Sequence, residues 1–195
     1  MVNNMNQFVK QLQQRRSVKR YRDELPDLNI IEEIAKAGAN APSALNRQPA
    51  IIIVITNKEM IKKIENINRT IANRTYDQFY NAPVLMCVLC YANVSTRVYD
   101  GSLVMGNLIN AANAYGLGAC WIHRAKETFE TSEGKQILHD LGIEGNYEGI
   151  GNCIMGYIDG DYPNEIPRKN ESPRVKTRGI LFKRCNYCLN SCICL

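Results

Sequence analysis

Apolar and polar positions follow two periods along this chain, and the change from one to the other marks its elements. Met5, Phe8, Val9 and Leu12 fall at i, i+3, i+4 and i+7, which predicts an amphipathic helix ending near Arg15 and Arg16. Asp27 is placed to cap a second helix, with Ile30, Ile31 and Ile34 on its inner face. From Gly38 to Pro49 the pattern reads as loop, because Pro42 and Pro49 each disfavour helix in the residue before them. Ala50–Ile55 is almost wholly β-branched and predicts a buried strand. Thr56-Asn57-Lys58-Glu59 has capping-box spacing and opens a helix carrying Ile61, Ile64, Ile67 and Ile71.

The second half continues the alternation. Residues 83–91 read as a second buried strand. Residues 99–115 form the longest helical stretch, with Leu103, Leu108, Ala111 and Ala112 letting it lie deep, and Gly116 suits a left-handed stop after it. A short strand at 119–122, a short helix at 133–141 ending at Gly142, and a fourth strand at 151–158 complete the set. No internal repeat appears, and no linker precedes residue 160. The pattern is that of one α+β or α/β domain, a sheet covered by helices.

Composition narrows this only a little. At 195 residues, with 45% hydrophobic and 22% charged positions, the chain is long enough for one well-filled core. The longest apolar runs are strand-length, so no transmembrane span is expected. The first residues lack a basic stretch followed by an apolar one, so no secretory signal is expected and the cytoplasm is the default location. The net charge of +5 hints at nucleic acid, but its distribution argues otherwise. Residues 168–195 carry seven Lys and Arg against Glu171 alone, a net of +6, which leaves the first 167 residues near −1. The basic excess belongs to a tail, and no nucleic-acid partner is expected.

Eight cysteines divide into two groups. Cys87, Cys90, Cys120 and Cys153 stand in strand-like runs, where cysteine serves as a small buried hydrophobe. Cys87 and Cys90 have the spacing of a metal or redox pair, but residues three apart on a strand point to opposite faces. Cys185, Cys188, Cys192 and Cys194 crowd the last eleven residues. Their spacing does not match the bacterial ferredoxin run, and Cys-x-Cys is awkward for one tetrahedral site, so no metal is expected and the tail reads as a chain-specific extension with free thiols.

Three short runs carry candidate chemistry. Arg15, Arg16, Ser17 and Lys19 cluster at the end of the first helix, where guanidinium groups and a hydroxyl suit phosphate. Positive charge at a helix C-terminus also complements the helix dipole. Ala41-Pro42-Ser43-Ala44-Leu45-Asn46-Arg47-Gln48-Pro49 is a polar loop that suits hydrogen bonds at the edge of a flat ring. Gly116-Leu117-Gly118-Ala119-Cys120-Trp121-Ile122 has glycines that let backbone approach a flat ligand closely. It is not a dinucleotide fingerprint, since it follows a helix and lacks a third glycine.

In these runs, with Asn81-Ala82-Pro83 before a strand and Gly156-Tyr157 before Pro167-Arg168-Lys169, the chain resembles the nitroreductase family of FMN-dependent oxidoreductases, over roughly residues 5–175. The resemblance implies an α+β fold with a central, mostly antiparallel sheet flanked by helices, in residues 1–176, followed by the basic Cys-rich tail, 177–195. It implies a homodimer with two FMN sites at the interface. Arg15, Arg16 and Ser17 match phosphate and ribityl contacts, and Lys19 matches the cation near the flavin's pyrimidine edge. Pro42, Ser43 and Asn46 match the loop that reaches the partner's flavin. Trp121, Ile122, His123 and Arg124 match the segment beside the reactive edge, and Arg168 with Lys169 a late phosphate contact. There are departures: Ala50 stands where many members have an aromatic residue, and His123 and Arg124 where some have an acid and a glycine.

The implied activity is hydride transfer from NADH or NADPH through flavin N5 to a nitroaromatic, quinone or similar small acceptor. The flavin carries the chemistry, no side chain is required as a catalytic group, and Lys19 supplies electrostatic support. Two other readings stand beside it. One is a flavin enzyme of the same fold with another reaction, such as dehalogenation, which would be expected to carry substrate lids. The other is a metal- or nucleic-acid-binding module using the tail. His139 reads as a surface residue and His123 as a substrate-side candidate.

Overall fold

The computed structural model describes residues 6–166, so Arg168, Lys169, the four tail cysteines and the expected boundary at 176/177 lie outside the described residues. A compact unit extends to Asn164. Its elements are α1 (Gln7–Gln14), α2 (Leu28–Ala39), a 3-10 turn (Ala44–Asn46), β1 (Ala50–Ile55), α3 (Lys58–Ile71), β2 (Val84–Tyr91), α4 (Arg97–Ala114), β3 (Gly118–Ile122), α5 (Ala125–Glu130), α6 (Ser132–Asp140) and β4 (Tyr147–Gly156). The four strands form one sheet in the order β1-β2-β4-β3, every neighbouring pair antiparallel. The fold is α+β, as expected.

The unbroken apolar run of β2 follows from its place in the middle of the sheet with helices on both faces. Leu85, Cys87 and Leu89 enter a core with Ile61, Ile64 and Ile67 of α3, Phe129 of α5 and Ile137 of α6. Val84, Met86 and Val88 enter the opposite core with Ile31 and Ile34 of α2 and Val104, Met105 and Leu108 of α4. Each such side chain contributes about 1.5–3 kcal/mol on burial, so β2 anchors both layers. Cys87 and Cys90 do point to opposite faces. Cys87 lies in the first core, while the Cys90 sulfur stands 2.8 Å from where a Cβ on Gly101 of α4 would sit.

Several boundaries differ from the sequence reading. Asn57, not Thr56, caps α3: its Oδ1 accepts the Met60 N–H at 2.8 Å. β4 begins at Tyr147, four residues before the expected start: Tyr147, Glu148 and Gly149 pair with Tyr91, Cys90 and Leu89, although their low apolar content gives no strand pattern. A register shift against Val88 and Leu89 leaves Ile150 as the extra residue of a bulge. α5 carries no recognisable period over six residues, and it passes so close to β4 that a Cβ on Gly149 would meet the Ala125 carbonyl. α1 is amphipathic as predicted but buries none of its residues: Phe8 is 61% exposed, with Val9 and Leu12 beside it.

Candidate active site

β3 is an edge strand, and the basic run docks on its free edge. Ser17 forms a parallel bridge with Ala119, and the Val18 N–H donates to the Ala119 carbonyl at 3.1 Å. Further along, Tyr21 bridges Ile158, the Arg22 N–H donates to the Tyr157 carbonyl at 2.9 Å, and the Tyr21 hydroxyl donates to the Val18 carbonyl at 2.6 Å. Val18 is buried over Gly118, where a Cβ would come within 2.7 Å of the valine's own. A glycine is therefore required for the run to lie this close.

This docking brings Ser17 and Lys19 to the same cleft as Trp121, Ile122, His123 and Arg124, a space of about 370 Å³. That volume lies within the range of small-molecule sites. The Lys19 ammonium stands 5.5 Å from the centre of the Tyr80 ring, a cation–π distance. Neither Lys19 nor Arg15 has a carboxylate partner among the described residues, whereas Arg20, Arg69 and Arg97 each have one. Arg15 is half-buried and close enough to act, with Lys19, on the Cys120 thiol. That thiol is pushed up by burial, with the Ser17 hydrogen bond and the two cations opposing, and so stays protonated at neutral pH. Lys19 and Ser17 line the cleft, while Arg15 does not line it and reaches it only through its influence on Cys120. A hydroxyl and an uncompensated cation in the lining, with a second cation behind them, fit an anionic group such as phosphate.

Three lining residues escaped sequence reading. Asn68 is buried on the inner face of α3, and its Nδ2 donates to the His123 carbonyl at 2.8 Å. A polar residue four positions after Ile64 and seven after Ile61, in register with the apolar face of α3, was the available signal. Gln78 and Tyr80 come from the loop before β2. The buried Glu65 carboxylate fastens that loop by accepting the Gln78 N–H at 3.1 Å, and Tyr80 and Asn81 adopt positive φ of 54° and 53°. No motif marks either residue in the sequence.

The other expected site residues lie elsewhere. The Arg16 guanidinium donates to the Gln13 and Arg15 carbonyls at 2.7 and 3.0 Å, closing the end of α1, and it does not line the cleft. Pro42, Ser43 and Asn46 are also absent from its lining. Their loop is fastened to α4 instead: the buried Asp100 accepts the Ala44 N–H at 3.0 Å and the Thr96 hydroxyl at 2.8 Å. Ser43 Oγ accepts the Gln48 N–H at 2.9 Å. Leu45, Asn46 and Gln48 all have positive φ, and Leu45 is 84% exposed.

A second cleft of about 320 Å³ lies on the α4 side and shares Trp121, His123 and Arg124 with the first. Arg124 heads α5 with φ 73°. A larger cavity, about 480 Å³, contains none of the predicted site residues. Two of its lysines are already neutralised, Lys58 by Asp23 and Lys62 by Glu65. The smaller cleft is therefore the better candidate.

An antiparallel four-stranded sheet with an N-terminal run docked on its edge strand, and a cationic cleft where the two meet, defines a class. The sequence matches the Nitroreductase family over residues 12–157, and the chain belongs to that family. It is 32% identical over 160 residues to an Archaeoglobus fulgidus protein provisionally named an NADH dehydrogenase/NAD(P)H nitroreductase, covering 78% of this chain and 86% of that one. A Methanothermobacter thermautotrophicus protein with the same provisional name is 34% identical over 112 residues, and here the match spans 55% of this chain and 56% of the relative. Among solved structures, a nitroreductase with bound FMN from Bacteroides fragilis superposes with a TM-score of 0.80 at 24% identity, over 88% of this chain and all of that one.

Proposed function

We propose that the chain is an FMN-dependent oxidoreductase that draws hydride from NADH or NADPH and passes it to nitroaromatic, quinone or similar small acceptors. The observation that carries this reading is the cleft in which Ser17, Lys19 and Trp121–Arg124 meet, with Lys19 and Arg15 free of carboxylates among the described residues. FMN, when bound, supplies the hydride-accepting ring. Arg15 and Ser17 hold its phosphate and ribityl chain. Lys19, kept near the cleft by Tyr80, favours negative charge at the pyrimidine edge and so favours reduction. Gly118 lets the 15–21 run lie against β3, so that Ser17 and Lys19 reach the cleft, and Asn68 fixes the 123–124 turn through the His123 carbonyl.

The functional unit in this reading is a homodimer. Its support is an unpartnered apolar surface: Phe8, Val9 and Leu12 of α1, Val98, Tyr99 and Leu103 of α4, and Leu45. Scattered exposed apolar residues are ordinary, but an amphipathic helix with nothing buried calls for a partner. Pro42, Ser43 and Asn46, held away from their own chain's cleft, then serve the flavin of the other subunit.

The test is direct. The purified full-length protein should be yellow and should be bleached anaerobically by NADH or NADPH, after which a screen of nitroaromatic and quinone acceptors should restore the colour. A folded preparation that takes up no FMN sinks the reading. Lys19→Ala should slow flavin reduction by about 100-fold or more, the scale of one lost group aimed at a developing anion, while the melting temperature stays close to wild type. Equal damage to folding would remove the electrostatic role.

A further inference from the structure

We propose that Arg124 makes this site selective for acceptors that carry a carboxylate on a flat aromatic ring; the inference rests on the flavoenzyme reading above and names its substrate class. Arg124 is half-buried and lines both clefts, together with Trp121 and His123. Its guanidinium makes no hydrogen bond or ion pair with any described residue. The nearby charges are otherwise largely engaged. Glu148 receives Arg97 at 3.0 Å and Lys126 at 3.3 Å, and Lys126 also reaches Glu130 at 3.8 Å. Glu127, exposed at the second cleft, forms no ion pair with Arg124 and does not line the first cleft. A planar, always-charged fork left unpaired at the mouth of a cleft matches a carboxylate by paired hydrogen bonds. Trp121 supplies the complementary flat surface. It packs against Gly151, where a Cβ would stand 2.5 Å from the indole nitrogen, and remains 37% exposed. An aromatic ring suits that face.

The backbone adds an independent reason. Arg124 has φ 73°, the left-handed region where a glycine sits without strain and a side chain does not. Its guanidinium makes no hydrogen bond or ion pair among the described residues that would offset this. The position is therefore costly for folding, and the gain from the guanidinium must come from a bound group.

The experiment uses the full-length holoenzyme with two matched pairs of probes. Calorimetry compares benzoate with benzamide, and steady-state kinetics compares 4-nitrobenzoate with 4-nitrobenzamide. Wild type should favour the carboxylate of each pair, less so as salt is raised. In Arg124→Gln the carboxylate-to-amide ratio should fall by about 10–100-fold, the span of a lost hydrogen bond to a charged group. Arg124→Gly should lose the same selectivity without a lower melting temperature, which a merely structural arginine would not allow. The proposal is overturned by a wild type without preference or by equal loss of both probes. It is also overturned by an effect confined to the KM of NADH or NADPH, or by loss of FMN from the variants, which would make Arg124 a cofactor ligand. A wild-type protein without FMN refutes the flavoenzyme reading before any probe is added. The benzoate titration then still decides whether Arg124 holds an anion.

Discussion

The run 15–21 and the loop 41–49 are both polar, both near the N-terminal end of the chain and separated by one helix, yet the fold treats them in opposite ways. The first is pressed onto the edge of β3 by main-chain hydrogen bonds and by Val18 over Gly118, and delivers Ser17 and Lys19 to the cleft of its own chain. The second is held off that cleft by Asp100 and Ser43, with three residues at positive φ and Leu45 projecting outward. One wall is finished by the chain itself. The other is held, at some backbone cost, away from that cleft. In the reading proposed above it serves the flavin of a second copy.

The largest break in this contrast comes from Gly118→Ala. The new methyl meets Val18 and lifts the run from β3, so unfolding free energy should fall by about 1–3 kcal/mol and flavin should be lost, both visible in a melt followed at flavin and protein wavelengths. Asp100→Ala acts on the other wall. It strands the Ala44 N–H and the Thr96 hydroxyl and should cost roughly 1–2 kcal/mol. Flavin should be lost from the assembled protein while the docking of 15–21 survives, as hydrogen exchange of the Val18 amide would report.

Acid should separate the two walls further. Hydrogen bonding to Arg97 holds the Glu148 carboxyl below the usual carboxylate range; burial pushes the other way by less, and Lys126 adds a smaller lowering. Its pairing therefore stabilises the fold above the unfolded value, near pH 4.3, and is lost as pH falls through the lower, folded value. Because this pair ties the start of α4 to β4, the α4 end should loosen first, and Glu148→Gln should flatten the acid limb of a stability–pH curve at a cost of about 1 kcal/mol. The smallest effect on the single chain is expected for Leu45→Gly. Glycine accepts φ 54°, so stability should stay within about 0.5 kcal/mol. Dimer affinity measured by dilution should nonetheless drop by about tenfold or more, since burying one leucine contributes about 1.5–3 kcal/mol.

Much of the fold could be read from periodicity, for a physical reason. β2, α3 and α4 bury apolar surfaces that write themselves into composition, whereas β1, expected to be buried, is a half-buried edge strand in which only Ile55 is buried and Val54 is exposed. Elements placed by close backbone approach were not readable. α5 exists because Gly149 lets it touch β4, and the first residues of β4 are polar and glycine-rich around a bulge. The site divided along the same line. Ser17, Lys19 and residues 121–124 sit in local motifs that the fold does bring together. Asn68, Gln78 and Tyr80 reach the cleft through tertiary contacts such as Glu65 with the Gln78 amide, which no local pattern announces. Arg16 was readable as a cation but not as the residue that closes α1 with its own guanidinium.

The account stands on one claim: the flavin site is complete only when the loop 41–49 of a second chain closes it. Sedimentation of the holoenzyme over a dilution series, recorded in the protein and flavin bands together, tests this most directly. Colour should travel only with the dimer and appear as free flavin in step with dissociation. Flavin that stays bound to a sedimenting monomer would contradict the claim.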